Sequence, residues 1–262
     1  MRPIKISPAG ESRTLTDAEA LSLINSAQWY HSFQIRPGIT TPGVSYFDAP
    51  SLADSMGIAS DLSGKTALDI GSWDGPMAFE LERRGAKTMA LDIQDPTRVG
   101  FDVARKIVGS QVTHYEGSVY QLPFGDAKDL DIVVFKGVFY HLKYPLLAFE
   151  QISRSMKIGG HLYFEGEGLL NYAENTKGES VTLDFESLLN SDAPICLITP
   201  NRFKNGSNWF IPTPACLRVL MQVSGFDVVE IKYYKGDDNK SQRLYGSAVK
   251  ISDKFELEHP FY

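Results

Sequence analysis

ALDIGSWDG, residues 67–75, is the part of this chain from which its architecture follows. Ala67–Ile70 is a short apolar run of the kind that forms a buried strand, and Gly71 to Gly75 is too tight and glycine-rich to continue it. Pro76 then stands where a first helical residue is expected, because its missing N–H is not needed there. The next apolar run ends in an acid, Asp92, 21 positions after Gly71. Strand, glycine turn, helix, strand and terminal acid together form a cradle for an adenosyl group. Gly71 lets backbone approach a ligand closely, and Asp92 accepts hydrogen bonds from two ribose hydroxyls.

The dinucleotide form of this site needs G-x-G-x-x-G, which seats a pyrophosphate on the helix N-terminus. Here the spacing is Gly71-Ser72-Trp73-Asp74-Gly75, and Asp69 lies two residues before the first glycine. A carboxylate so close to the turn repels a pyrophosphate and suits a ligand carrying an ammonium and a sulfonium. The expected cofactor is therefore S-adenosyl-L-methionine rather than NAD.

Outward from this turn, strand and helix alternate. Strands are expected at 66–70, 88–92, 112–116, 129–135 and 160–165, and helices at 76–84, 97–108 and 145–156. Apolar runs such as LDIVVF (130–135) indicate a parallel sheet covered on both faces. A helix opened by Pro212 or Pro214 is followed by strands at 226–234 and 246–252, close enough to form an antiparallel pair. The expected fold is α/β, a Rossmann-like doubly wound sheet of seven strands whose last pair is antiparallel. Residues 1–45 read as an N-terminal segment: a loose arm over 1–15, a helix capped by Thr16 or Asp17, then the aromatic, breaker-rich 29–43. Residues 46–262 read as the main domain, with a cap inserted at about 168–210.

Composition narrows the function classes. A formal net charge of −6 gives no general basic surface for nucleic acid, although a local patch remains open. Cys196 and Cys216 supply neither a disulfide framework nor a metal-ligand spacing, and read as reduced packing thiols. No run approaches the ~18 apolar residues of a membrane span, and MRPIKISPAGESR lacks a signal-peptide core, so the expected location is the cytoplasm.

Ligands of open α/β sheets sit beyond the C-terminal strand ends. Those positions hold Asp69, Gly71, Trp73 and Gly75, then Asp92, Ile93 and Gln94, then Ser118 and Val119, as cofactor-binding candidates. Asp69 either caps the turn or meets the donor, and the Ser118 hydroxyl is a weak acceptor for an adenine amino group. Lys136 either pairs with Glu165 or Glu167 or binds an anion. His141, after the fourth strand, is the candidate general base, since a neutral imidazole accepts a proton near pH 7, with Tyr140 orienting the acceptor. Trp29 and Trp209 are either core aromatics or walls of the acceptor pocket.

Two longer segments carry a resemblance. KGVFYHLKYPLLAFEQISRSMKIGGHLYFEGEGL (136–169) and NRFKNGSNWFIPTPACLRVLMQVSGFDVVEI (201–231) resemble one branch of the class I S-adenosylmethionine-dependent methyltransferases. That branch holds the bacterial tRNA wobble-uridine carboxymethyltransferase, also described as a 5-methoxyuridine methyltransferase, and the similarity runs from about Trp29 to Val249. The G-V-x-Y-H after strand four and the N-W-F-I-P-T before the late helix carry it. The resemblance implies in-line group transfer, and the substrate-binding candidates are Trp29, His31, Glu165, Arg202, Trp209 and Arg243. It departs in two places. The family has several dozen additional N-terminal residues that this sequence lacks. His31 stands where the family has a lysine that holds the carboxylate of carboxy-S-adenosyl-L-methionine; Tyr140 and Arg243 match its two other carboxylate contacts. The reading therefore favours plain methyl transfer to a small-molecule acceptor. A tRNA acceptor, served by a basic stripe of Lys136, Lys143, Arg202 and Lys204, is the alternative, and a non-catalytic adenosyl-binding protein a third. Oligomeric state has no signal in the sequence.

Overall fold

The structure, a computed structural model, describes residues 3–10, 14–181, 184–199, 207–235 and 242–254. The chain divides into two compact units, residues 1–121 with 129–133, and residues 122–128 with 134–262.

In the first unit the elements are β1 (Lys5–Ser7), α1 (Asp17–Asn25), β2 (His31–Ser32), β3 (Gln34–Arg36), β4 (Ile39–Thr40) and β5 (Ser45–Tyr46). They continue with α2 (Ala49–Ser55), β6 (Thr66–Ile70), α3 (Pro76–Arg83), β7 (Lys87–Asp92), α4 (Phe101–Val108) and β8 (Thr113–Glu116). β6, β7 and β8 pair in parallel, and every residue of β6 after Thr66 is buried, as expected of strands covered on both faces. β1 adds an antiparallel strand beyond β8, pairing Lys5 with Glu116. Part of the 1–15 arm is thus sheet, and the Lys5 ammonium lies 2.8 Å from Glu116. Thr16 caps α1: its hydroxyl accepts the Glu19 N–H, and Glu19 returns a bond to the Thr16 N–H at 2.8 Å. α4 starts later than the apolar pattern from residue 97 suggested, because Gly100 is left-handed (φ +80°) and admits no helix before it.

β9 (Leu130–Lys136) belongs half to each unit. Its start is tied to β6 within the first unit, where Asp131 accepts the Thr66 N–H at 2.9 Å. Its end feeds the second unit, made of α5 (Pro145–Ser155), β10 (Met156–Glu167), β11 (Ala173–Glu174), β12 (Ser180–Val181) and α6 (Phe185–Asn190). Then come β13 (Cys196–Ile198), β14 (Phe210–Pro212), α7 (Pro214–Val223), β15 (Phe226–Lys235) and β16 (Gln242–Lys250). β10 pairs antiparallel with β16, and β16 with β15.

The main sheet runs β1-β8-β7-β6-β9-β10-β16-β15. It is the doubly wound sheet expected, with antiparallel strands at both ends and β1 as an eighth strand. Order reverses after β8, when the chain returns to the other side of β6 at β9, so the switch point lies at the carboxyl end of β6 where Gly71 begins the turn. Each unit has its own apolar core: Leu68, Leu91, Phe101 and Leu130 in the first, Phe135, Phe149, Phe164 and Leu244 in the second, all under 2 % exposed. Each such side chain contributes about 1.5–3 kcal/mol by leaving water. The inserted segment after 168 contains the hairpins β11–β12 and β13–β14 and the helix α6. Its start is clamped by buried Gln242, whose side-chain oxygen accepts the N–H groups of Leu170, Asn171 and Tyr172. No described helix is long and apolar enough to cross a membrane.

Candidate functional site

The first unit gathers its candidates around the β6–α3 turn. Gly71 and Gly75 take positive φ, +80° and +91°, as does Trp73 at +46°. A Cβ on Gly75 would lie 2.6 Å from the Phe79 ring and 2.8 Å from Phe101. For Trp73 the left-handed conformation costs on the order of 1–3 kcal/mol and must be held by its surroundings. Its N–H donates to Asp92 at 2.8 Å, and its ring tilts against Tyr30 with centroids 5.2 Å apart. Asp92, at the end of β7, is buried and also accepts the Gln94 N–H at 2.8 Å. Burial pushes its carboxyl above the ordinary range, against the backbone N–H groups of Trp73, Gln94 and Ile93 that favour the charged form. Each oxygen of a carboxylate accepts two bonds, so Asp92 keeps acceptor capacity beyond these.

Around it, Ile93 is 72 % exposed, an apolar side chain beside a polar site. Asp69 is buried in β6. Ser118 follows β8, its N–H donating to Gln121 Oε1 at 2.8 Å, and Val119 is buried next to it. The Ser72 hydroxyl is buried without a hydrogen-bond partner.

The aromatic segment behaves differently from expectation. Asp74 is fully buried and accepts the N–H groups of Tyr30 and His31, at 3.0 and 2.8 Å, and the His31 ring nitrogen Nδ1. The His31 ring is therefore already engaged by the Asp74 carboxylate. Trp29 donates its indole N–H to the Ile24 carbonyl at 2.8 Å and packs against Gly100, where a Cβ would come within 2.9 Å of the ring. Its indole is tied to the end of α1. Sequence reasoning missed Ser72, Asp74 and Tyr30; the polar residues between the two turn glycines were the signal available.

The second unit holds the other candidates. Glu167 on β10 lies directly opposite Arg243 on β16, with Glu165 one same-face position along. That register makes the cluster, since cross-strand neighbours of opposite charge meet. Arg243 Nε lies 2.5 Å from Glu165 and Nη1 lies 3.3 Å from Glu167. The guanidinium also sits over the Tyr140 ring at 5.1 Å and within 3.4 Å of its hydroxyl. Lys136 lies 3.6 Å from Glu165, one of the ion-pair partners expected for it. Burial pushes the Glu165 carboxyl up, but Arg243, by charge and by hydrogen bond, and Lys136 outweigh it and hold it below the ordinary range. Burial pushes the Tyr140 phenol up despite Arg243. Gly166 between the two acids is required, because a Cβ there would meet the Phe139 ring at 2.5 Å and Tyr140 at 2.8 Å.

His141 ends a single 3-10 turn, Phe139–His141. Its Nδ1 lies 2.9 Å from the Ser207 carbonyl oxygen. The Ser207 hydroxyl lies 3.1 Å from the same nitrogen; an Nδ1–H that donates to the carbonyl leaves Nε2 its lone pair. Burial holds the imidazole below its ordinary pKa, only partly offset by the Ser207 bond. The neutral form is therefore the resting form at neutral pH. Trp209 supports the same turn: its N–H donates to the Tyr140 carbonyl at 2.7 Å, and Lys143 lies 4.5 Å over its ring. Arg202 and Lys204 lie outside the described residues. Among the described residues no cluster of three or more His, Cys, Asp or Glu is placed to hold a metal.

The doubly wound sheet places the glycine turn at its switch point and an acid at the end of the next strand, the arrangement expected of an adenosyl cradle. Residues 68–164 match the family model described as a methyltransferase domain. Among proteins of known activity, the chain is 28% identical over 180 residues to the tRNA U34 carboxymethyltransferase of Pseudoalteromonas translucida, covering 65% of this chain and 47% of that one. The chain thus spans about half the length of the curated relatives it matches. Among solved structures it is similar to an S-adenosylmethionine-dependent methyltransferase of Mesorhizobium loti, with a TM-score of 0.55 at 15% identity over 77% of this chain and 98% of that chain. It is also similar to the 1,6-didemethyltoxoflavin-N1-methyltransferase of Burkholderia thailandensis, with a TM-score of 0.53 at 13% identity over 94% and 95%. Identities this low speak for the fold.

Proposed function

We propose that this protein transfers the methyl group of S-adenosylmethionine to an oxygen or nitrogen of a small-molecule acceptor, with His141 as general base. The observation that carries the proposal is the His141–Ser207 contact, where an Nδ1–H donating to the Ser207 carbonyl would leave the Nε2 lone pair free on an imidazole that burial keeps neutral. The β6–α3 turn fits the donor: Gly71 allows close approach, Asp92 retains acceptor capacity for ribose hydroxyls, and the buried Ser72 hydroxyl lacks a partner. Asp69, Trp73, Gly75, Ile93, Gln94, Ser118 and Val119 complete the donor side, Ile93 offering an apolar surface to the adenine ring.

The bound donor supplies a sulfonium-activated methyl. The protein then has to orient the acceptor and take its proton. Positioning of two reactants lowers a barrier by roughly 7–11 kcal/mol. His141 Nε2 takes the proton the acceptor loses as its new bond to the methyl carbon forms, for a further 10²–10⁴-fold or so. Tyr140, fixed by Arg243, orients the acceptor, and Trp209 and Glu165 border it.

A second reading, carboxymethyl or methyl transfer to the wobble uridine of tRNA, is favoured by the named activity of the Pseudoalteromonas relative. Against it, Arg243 already faces two carboxylates, and the His31 ring is already engaged by Asp74.

The test pairs two measurements. Native mass spectrometry with S-adenosylmethionine and carboxy-S-adenosylmethionine in competition is expected to show capture of the ordinary donor. Label from methyl-labelled donor is then followed into the small-molecule and RNA fractions of a cell extract. Label in the small-molecule fraction supports the proposal. Capture of the carboxylated donor or label in tRNA establishes the second reading, and donor capture without label in either fraction points to a binding protein.

A further inference from the structure

Asp74 stands between two left-handed residues of the β6–α3 turn, Trp73 (φ +46°) and Gly75 (φ +91°), and is fully buried. A carboxylate taken out of water needs polar partners. Those of Asp74 come from a segment 43 and 44 positions earlier in the chain. Its Oδ2 accepts the Tyr30 N–H at 3.0 Å and the His31 N–H at 2.8 Å, and its Oδ1 meets the His31 ring nitrogen Nδ1.

The same segment is tied on its other side. The His31 carbonyl accepts the Thr41 hydroxyl at 2.7 Å, and the Tyr30 carbonyl accepts the Ser45 N–H at 3.0 Å. The His31 ring stands edge-on to Phe47, with centroids 4.7 Å apart. Gly43 permits this approach, since a Cβ there would fall 2.2 Å from the His31 carbonyl carbon. Residues 30–47 thus form a strap that Asp74 fastens to the glycine turn.

The strap reaches the donor side through a pair of rings. Tyr30 lies against Trp73, with centroids 5.2 Å apart and planes at 46°. Trp73 has the left-handed backbone that directs its N–H to Asp92, 2.8 Å away. A non-glycine residue persists in that conformation only where its surroundings hold it. The Tyr30 ring is part of that hold, and Asp74 keeps Tyr30 in place.

We propose that Asp74 is a positioning residue of the donor site: it holds Tyr30 against Trp73 and so fixes the Trp73 N–H on the carboxylate that receives the donor ribose. The inference rests on the reading of the β6–α3 turn as the S-adenosylmethionine site. It makes the aromatic segment after α1 part of that site, with Asp74 acting only through Tyr30 and Trp73.

The test is calorimetric titration of S-adenosylmethionine into the full chain and its variants, with near-ultraviolet circular dichroism of each free protein. Tyr30→Ala removes a half-exposed ring and leaves both N–H groups to Asp74. Its dissociation constant should rise at least about threefold, the worth of one aromatic pair. Asp74→Ala should raise it about tenfold or more, because two backbone N–H groups lose a charged acceptor. Asp74→Asn, whose amide oxygen still accepts them, should bind more tightly than Asp74→Ala. The dichroic band of the Tyr30–Trp73 pair should be lost in Tyr30→Ala and Asp74→Ala alike. Wild-type affinity in Tyr30→Ala or in Asp74→Ala, or an Asp74→Asn no tighter than Asp74→Ala, overturns the inference and leaves the donor reading standing. A wild type that takes up no S-adenosylmethionine removes both. If Asp74→Ala does not fold, the affinity of Tyr30→Ala decides.

Discussion

In the first unit, backbone N–H groups hold the functional carboxylates. Asp92 accepts from Trp73 and Gln94, and Asp74 from Tyr30 and His31. In the second unit, side chains hold one another: Arg243 reaches Glu165, Glu167 and Tyr140, and Lys136 reaches Glu165. The first arrangement depends on glycines that let the chain turn and approach. The second depends on charges that must balance in a buried place. The turn of the first unit should therefore be sensitive to added atoms, and the ion cluster of the second to salt and pH.

The largest effect should come from His141→Ala, with turnover lowered by roughly 10²–10⁴-fold and donor affinity unchanged. In the wild type, burial places the His141 titration below its ordinary value of 6.5, so the rate should be flat above that pH and fall on its acid side. Steady-state kinetics across pH would show this, and a variant that kept full turnover would remove His141 from the mechanism.

Gly75→Ala should cost about 2–5 kcal/mol by combining a left-handed backbone with a clash against Phe79 and Phe101. Denaturant unfolding measures it. A loss under about 1 kcal/mol would mean the turn yields, and the contrast between the units would weaken.

Glu165→Gln should cost about 2–4 kcal/mol, because a buried pair loses one partner while Arg243 keeps its charge. Here pH sharpens the comparison. The Glu165 carboxyl titrates lower in the folded protein than its ordinary 4.5. Its contribution is thus full above pH 4.5 and is lost as pH falls through the lowered folded value. Stability of the wild type should drop across that window and the variant should drop less. Equal acid slopes would show that Glu165 is not the group responsible.

Asp92→Asn should have the smallest effect, weakening donor binding by about 1.5–3 kcal/mol while leaving Glu165 and Arg243 undisturbed. Calorimetric titration of S-adenosylmethionine reads it directly; an unchanged dissociation constant would take Asp92 out of the ribose contact.

How legible each half was follows from the same difference. The glycine turn and Asp92 are local features, spelled by spacing within 25 residues, and the strand–helix alternation around them is set by hydrophobic periodicity. The second half was partly visible: Tyr140, His141, Glu165 and Arg243 stood out by position and resemblance. Which charges meet was not visible. Lys136 had two readings until the register of β10 brought Glu165 beside it.

The sequence by itself determined the doubly wound α/β fold, the adenosyl turn at 71–75 and the acid at 92, because backbone geometry and burial period are written locally. Tertiary structure alone decided that the His31 ring meets Asp74, that Arg243 meets Glu165 and Glu167, and that β1 extends the sheet. Those are contacts between residues 20 or more positions apart, or edge pairings of a short strand. Their partners are chosen by how the elements pack, and no local spacing encodes that choice.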